Sequence, residues 1–384
     1  MNYTLDNYIK VVAPYIPQQL ISTEHLSHIQ KIATLLPSAS ANIFAFECRL
    51  GEMTPRADFF LCANASAGGR DVLAGHHPTM NLPKELLINS VWSKIHDFCL
   101  DWANPTSPLY KNADNIWFEF DVDGEPPEIP IPSLFFGVKK LQPLHTKNQL
   151  QYEDSAHIYQ WGTNTALKLL DIKISLELQR KLFDCFSLLP PGAEVFHIGV
   201  MLSRESEALR LCVRGIPPEK IVDYLSIIGW TGSVQELNSL VYDLSKFAED
   251  IHIAFDVGNI VFPKIGFECC FGTQNPNDSQ LRAFLDYLVA SGMCLPVKRD
   301  AILNYPGYCH EKSNPELWPS NLIQMSSLLG ESFLSSFARI LNHIKVVYEP
   351  GNSLEAKAYL FMGHNWLPIN LLQRLEREKV NLAD

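Results

Sequence analysis

Apolar and polar residues alternate in short runs along this chain, and each pair of runs follows a stretch with helical spacing. Helix-like 23–35 precedes ANIFAFECRL (41–50) and RADFFLCAN (56–64), and 83–102 precedes DNIWFEFDVDG (114–124) and PSLFFGVKK (132–140). The order recurs with 175–188 before EVFHIGVML (194–202) and EALRLCVRG (207–215). It recurs again with 217–228 and 233–247 before DIHIAFDVG (250–258) and IVFPKIGFECCF (260–271). A fifth unit reads as helix over 278–292 and 317–340, then NHIKVVYEPG (342–351) and LEAKAYLF (354–361). Alternation with period two predicts strands, and the turns at 256–259 and 349–353 predict hairpins. Five helix–hairpin units, about 23–64, 83–140, 175–215, 217–271 and 278–363, leave no obvious boundary. They predict a single domain over 1–384, with 141–165 as an irregular excursion.

In nearly every strand one parity is apolar, as a helix-covered face requires: Ile116, Phe118 and Phe120; Phe196, Ile198 and Val200; Ile251, Ile253 and Phe255. The opposite parity mixes charge, rings and small residues, from Glu47 and Asp58 through Trp117 and Glu119 to Lys357, Tyr359 and Phe361. That face is either open to solvent or wrapped into a lumen. An open ten-stranded sheet would curl or split, and its edges would invite aggregation. Closure removes both problems, so the expected fold is α+β, ten antiparallel strands closed into a barrel with the helices outside. Phe60, Trp117, Phe135, Tyr359 and Phe361 on the polar parity favour a lumen, because a water-facing sheet rarely collects so many rings.

Composition bounds the chemistry. Hydrophobic residues make 47% of the 384 and charged residues 19%, enough for a sizeable core. A net charge of −11, from 31 Lys and Arg against 42 Asp and Glu, argues against a general nucleic-acid partner. No apolar run is long enough for membrane insertion, and MNYTLDNYIK has no secretory hydrophobic core. Nine scattered Cys without a CxxC pair read as reduced thiols, so a cytoplasmic location is expected.

Against that acidic background, eight cations fall on the inner parity: Arg49, Arg56, Lys139, Arg210, Arg214, Lys264, Lys345 and Lys357. Cations in a low-dielectric wall are costly unless an anion neutralises them, and a diphosphate suits Lys, Arg and Tyr359. Phe60, Trp117, Phe135, His197, Met201 and Phe361 would line the remainder, with ring faces that stabilise a carbocation. Together these features describe a site that ionises an allylic diphosphate. Ordinary ion pairs on a solvated face are the competing reading of the same residues. No GxGxxG, Walker A, GxSxG or HExxH motif occurs, nor any Asp-Asp pair. Magnesium is a candidate cofactor on Glu119 and Asp121, or Asp58; no organic cofactor is expected. His76–His77 and Cys269–Cys270 read as loop and core residues.

The helix–hairpin pattern resembles the ABBA prenyltransferases. VFHIGVMLSRESEALRLCVRGIPPEKIVDYL (195–225) and FECRLGEMTPRADFFL (46–61) are similar to hairpins of the cyanobactin prenyltransferases, and LEAKAYL (354–360) to the family's Lys-x-Tyr strands. The resemblance implies an enzyme moving a dimethylallyl or geranyl group from a prenyl diphosphate donor to an electron-rich acceptor, a peptide side chain or a small aromatic. It implies diphosphate binding by Arg49 or Arg56, Arg210, Lys264, Lys357 and Tyr359, and an acceptor-side catalytic role for Glu47. The chain departs from the family in having one clean Lys-x-Tyr and a greater length than the usual cyanobactin enzymes. A noncatalytic barrel binding an anionic or peptide ligand is the alternative.

Overall fold

Four of the helices begin where a short polar side chain takes the first free N–H groups. Ser22 accepts from His25 N–H, Asn89 from Val91 and Trp92, Ser175 from Leu178, and Ser233 from Glu236. Each such cap is worth about 1 kcal/mol. The computed structural model, which describes residues 3–138, 152–204, 206–272, 279–330, 332–372 and 374, places these helices before hairpins, as the alternation predicts. The strands are β1 (Ile43–Arg49), β2 (Ala57–Asn64), β3 (Asn115–Phe120), β4 (Ser133–Gly137), β5 (Glu194–Val200) and β6 (Leu209–Arg214). They continue as β7 (Asp250–Val257), β8 (Val261–Cys270), β9 (Gly307–His310), β10 (Phe333–Tyr348) and β11 (Glu355–Pro368).

From β1 to β8 each strand pairs antiparallel with the next; β10 then pairs with β8, and β11 with β10. The ring closes where β11 pairs with β1, from Ile43 opposite Gly363 to Arg49 opposite Lys357. Ten strands therefore form the expected closed barrel with helices around it. The eleventh, β9, lies outside the ring and, among the strands of the described residues, pairs with β10.

The apolar parity packs outward under the helices. Phe118, Phe136, Ile198, Leu211, Ile253, Phe267, Ile344 and Leu360 belong to one buried cluster with helix residues such as Trp92, Tyr224 and Leu285. The inner parity stays apart from it, in two small apolar clusters around Phe135 and Tyr359.

Three expectations are corrected. The helix expected over 317–340 covers only Ser320–Leu329; Gly330, at φ +91°, ends it, and the chain enters β10 at Phe333. The excursion expected over 141–165 is helix from Tyr152 onward (Tyr152–Leu170), with Ala166, Leu167 and Leu169 buried against the barrel. Phe196 leaves the helix-covered face, because a register shift between Val195 and His197 turns both Phe196 and His197 inward.

The two faces predict different costs for neighbouring residues. Phe118→Ala removes a buried ring stacked on Trp92 and should cost about 3–5 kcal/mol in urea unfolding. Trp117→Ala, which enlarges space already open, should cost clearly less. Equal losses would mean that the face assignment is wrong.

Candidate active site

The closed ring encloses a cavity of about 680 Å³. Rings dominate one side of it: Phe60 from β2, Trp117 from β3, Phe135 from β4, Phe196 from β5 and Phe361 from β11. Trp117 and Phe361 lie 5.3 Å apart, and Phe60 meets Tyr359 edge-on at 5.6 Å. Arg210, Lys264, Lys345 and Lys357 reach it from β6, β8, β10 and β11. Small residues supply width. A Cβ on Gly199 would stand 2.5 Å from Phe135 Cε1, so that glycine is what lets the ring lie across β5. Met201 closes against Phe135, Cys212 and Ala254 beneath the lining.

Every cation lining the cavity already holds a carboxylate. Arg210 grips Asp256 with two bonds (Nε–Oδ1 2.7 Å, Nη2–Oδ2 2.9 Å). Lys357 Nζ lies 2.6 Å from Glu47 Oε1, and Lys345 Nζ 3.3 Å from Glu268 Oε1. Arg214 pairs with Glu194 at 2.7 Å and Lys264 with Glu349 at 3.2 Å, both half-exposed at the rim. The sixth, Arg204, is one that strand parity misses. It sits beyond the end of β5, where alternation gives no guidance, and joins Glu119 (2.9 Å) to Asp121 (Nε–Oδ2 3.0 Å). The cations that line the cavity are therefore held in a set of ion pairs.

The centre of the site is Glu47. Its Oε1 takes Lys357, and its Oε2 accepts the Tyr359 hydroxyl. Burial would raise this carboxyl, but the Lys357 and Lys345 charges and the two hydrogen bonds bring it down to about 2. Its neighbours move the other way. Burial and the Glu47 charge push Glu119 up to about 7 against the pull of Arg204 and Arg210. The same two causes raise Asp58 to about 6, opposed by the Val122 N–H and Arg49. Across the lumen burial opposes ionisation of Glu268, and the Lys345 charge overcomes it, holding that carboxyl at about 2. Burial drives His197 and His343 down to about 4, so both rings are neutral near pH 7. His343 lies flat on Tyr359, with ring centres 4.1 Å apart.

Not all expected residues meet here. Arg49 and Arg56 fall outside the cavity lining, because they sit at the β1–β2 turn, where Arg49 reaches Asp58 and Asp123 and Arg56 reaches Glu52. Lys139 lies outside the described residues. Glu119 and Asp121 do not fit magnesium as they stand, because the Arg204 guanidinium occupies the space between them. Asp58 is engaged by the Val122 N–H and Arg49. Among the described residues no three His, Cys, Asp or Glu converge as metal ligands. No helix of the described residues is long and apolar enough to cross a membrane.

Several solved structures match nearly the whole chain. One is a 5-dimethylallyltryptophan synthase from Streptomyces coelicolor, at 11% identity and a TM-score of 0.50, covering 94% of this chain and 98% of the other. Another is the apo form of the prenyltransferase PriB, at 7% identity and a TM-score of 0.50, covering 93% and 94%. No known family's sequence profile matches, and no curated protein does. At these identities the likeness is one of fold: the helix-jacketed ten-strand barrel of the ABBA prenyltransferases.

The carboxylate shifts have a measurable consequence. A carboxyl raised in the fold contributes stability below its unfolded pKa, and that contribution is lost as pH rises through the folded value. Glu119 and Asp58 should therefore make the protein less stable between about pH 4 and pH 7, a window above the one in which Glu47 and Glu268 titrate. Melting temperatures should show Glu119→Gln gaining on the unsubstituted protein as pH rises from 5 to 8. A constant offset would contradict the shift.

Proposed function

We propose that this protein is a prenyltransferase that moves a dimethylallyl or geranyl group from its diphosphate to an electron-rich ring. The acceptor ring is carried by a peptide side chain or by a small aromatic. The observation that carries the reading is the cavity's two sides, rings on one and buried cations on the other, inside a fold shared with two prenyltransferases. The barrel binding an anion or peptide without chemistry is the alternative.

In this reading the donor's C1–O bond breaks and its electron pair leaves with the diphosphate. Arg210, Lys345 and Lys357 stabilise that charge, each exchanging its carboxylate partly for a phosphate oxygen. The allylic cation is held against Trp117, Phe135 and Tyr359, whose faces attract it and keep water away. The acceptor ring supplies the electrons of the new bond and then loses a proton. Glu47, with both oxygens engaged, is assigned to holding Lys357 and Tyr359 in place. Glu119 suits the proton better: its carboxyl stands at about 7, and only Oε1 is in the Arg204 pair.

The test is mass spectrometry of products with five- and ten-carbon donors against indoles, phenols and Tyr- or Trp-containing peptides. Prenylated acceptor and released diphosphate are expected in equal amounts. Donor binding with neither release nor transfer would favour the noncatalytic barrel. Lys345→Met and Arg210→Met should lower turnover by roughly 10- to 150-fold, the worth of one charge-assisted contact of about 1.5–3 kcal/mol. Full turnover in both variants would remove the diphosphate from that side of the cavity.

A further inference from the structure

Three imidazoles of the described residues line the lumen, His197 from β5, His252 from β7 and His343 from β10. They are not equivalent. His197 Nε2 has Asn115 Oδ1 at 3.4 Å. His343 Nδ1 meets Asn342 Oδ1 at 2.7 Å, and its Nε2 has no hydrogen-bond partner. His252 stands between two carboxylates. Its Nε2 is 3.0 Å from Asp250 Oδ2, and its Nδ1 is 4.0 Å from Glu268 Oε2.

A carboxylate only accepts, so the Asp250 contact fixes the proton of the neutral ring on Nε2. Nδ1 then turns a lone pair toward the Glu268 carboxylate, and the wider gap on that side agrees with this. One proton on Nδ1 would convert the repulsion into an ion pair. Glu268 has Lys345 on its other oxygen, at 3.3 Å. Lys345, Glu268, His252 and Asp250 thus form a row from the lumen wall to a half-exposed carboxylate.

In the prenyltransferase reading Lys345 turns toward the diphosphate, and Glu268 loses the cation that overcomes its burial. A buried carboxylate left without a partner is costly. Histidine is the side chain whose charge changes near neutral pH, and His252 alone of the three has a carboxylate at each nitrogen. We propose that binding of the diphosphate donor is coupled to uptake of a proton at His252 Nδ1, so that the imidazolium replaces Lys345 as the partner of Glu268. His252 is then a positioning residue, which frees Lys345 for the phosphate oxygens. The other groups facing its ring are the Cys270 thiol, 3.9 Å from Nδ1, the neutral His197 and His343, and Arg214, which packs on Phe196 as His252 does. Arg214 is held by Glu194, and the bound diphosphate adds negative charge, so the balance on binding favours the proton. The inference rests on the prenyltransferase reading for where the anion binds.

The probes are inorganic diphosphate and dimethylallyl thiolodiphosphate, titrated calorimetrically at pH 7 in buffers of different protonation enthalpy. The unsubstituted protein should take up more protons than His252→Asn, by up to about one per ligand. Its affinity should also fall more steeply above pH 7, by up to about tenfold per pH unit relative to the variant. Asp250→Asn keeps the ring and removes one carboxylate at the half-exposed rim, so it should give an intermediate count even where His252→Asn does not fold. The ligand's own ionisation is common to all three proteins and cancels in the comparison. Equal proton counts with diphosphate bound would overturn the inference and leave the prenyltransferase reading standing. Failure of both probes to bind would overturn the two together.

Discussion

The pairing of β11 with β1 is the contact on which the rest of the structure depends. It joins residues more than three hundred positions apart and turns a sheet with two edges into a ring. Closure decides which face is covered by helices and which becomes a lumen, since a sheet sealed on itself has only one outside. The same pairing sets Glu47 opposite Tyr359 and Arg49 opposite Lys357. The register that closes the barrel therefore also builds the Glu47–Lys357–Tyr359 cluster at its centre. Slipping that register by one residue would turn Tyr359 out into the helices and Leu360 into the cavity.

Inside the ring, electrostatics is governed by exchange rather than by vacancy. Burying Arg210, Lys345 and Lys357 without partners would cost several kcal/mol apiece, and the fold avoids this by giving each a carboxylate, as it also does for the more exposed Arg204, Arg214 and Lys264. An incoming anion must compete with groups already in place. It competes most easily where the existing contact is long, as at Lys345, and less easily at the two-bonded Arg210–Asp256 pair. Crowding of Glu47, Asp58 and Glu119 means that only one of the three stays strongly acidic. The carboxylates thus differ in what they can do, although they look alike in sequence.

Much of this was legible in the sequence because strand alternation carries information about faces. Phe118 and Trp117 are assigned to opposite sides from their parity, and the structure agrees. Parity fails where the backbone departs from a regular strand. The shift after Val195 turns Phe196 inward, Arg204 enters from a turn, and the stretch after Gly330 carries apolar residues at spacings that also suit a helix. Parity also gives no account of pairing. It brings Arg49 and Lys357 to one face but cannot tell that Arg49 is held at the β1–β2 turn while Lys357 reaches the cavity. The four residues of β9 were too few to stand out from their surroundings.

The central claim is that the lumen binds an allylic diphosphate between its cations and its rings. A crystal structure with a dimethylallyl thiolodiphosphate, whose C–S bond resists ionisation, tests this most directly. The account predicts phosphate oxygens within hydrogen-bonding distance of Arg210, Lys345 and Lys357, with the prenyl group against Trp117 and Phe135. Diphosphate bound outside the barrel, or a lumen that stays free of it at saturating concentration with all six ion pairs intact, would contradict the account.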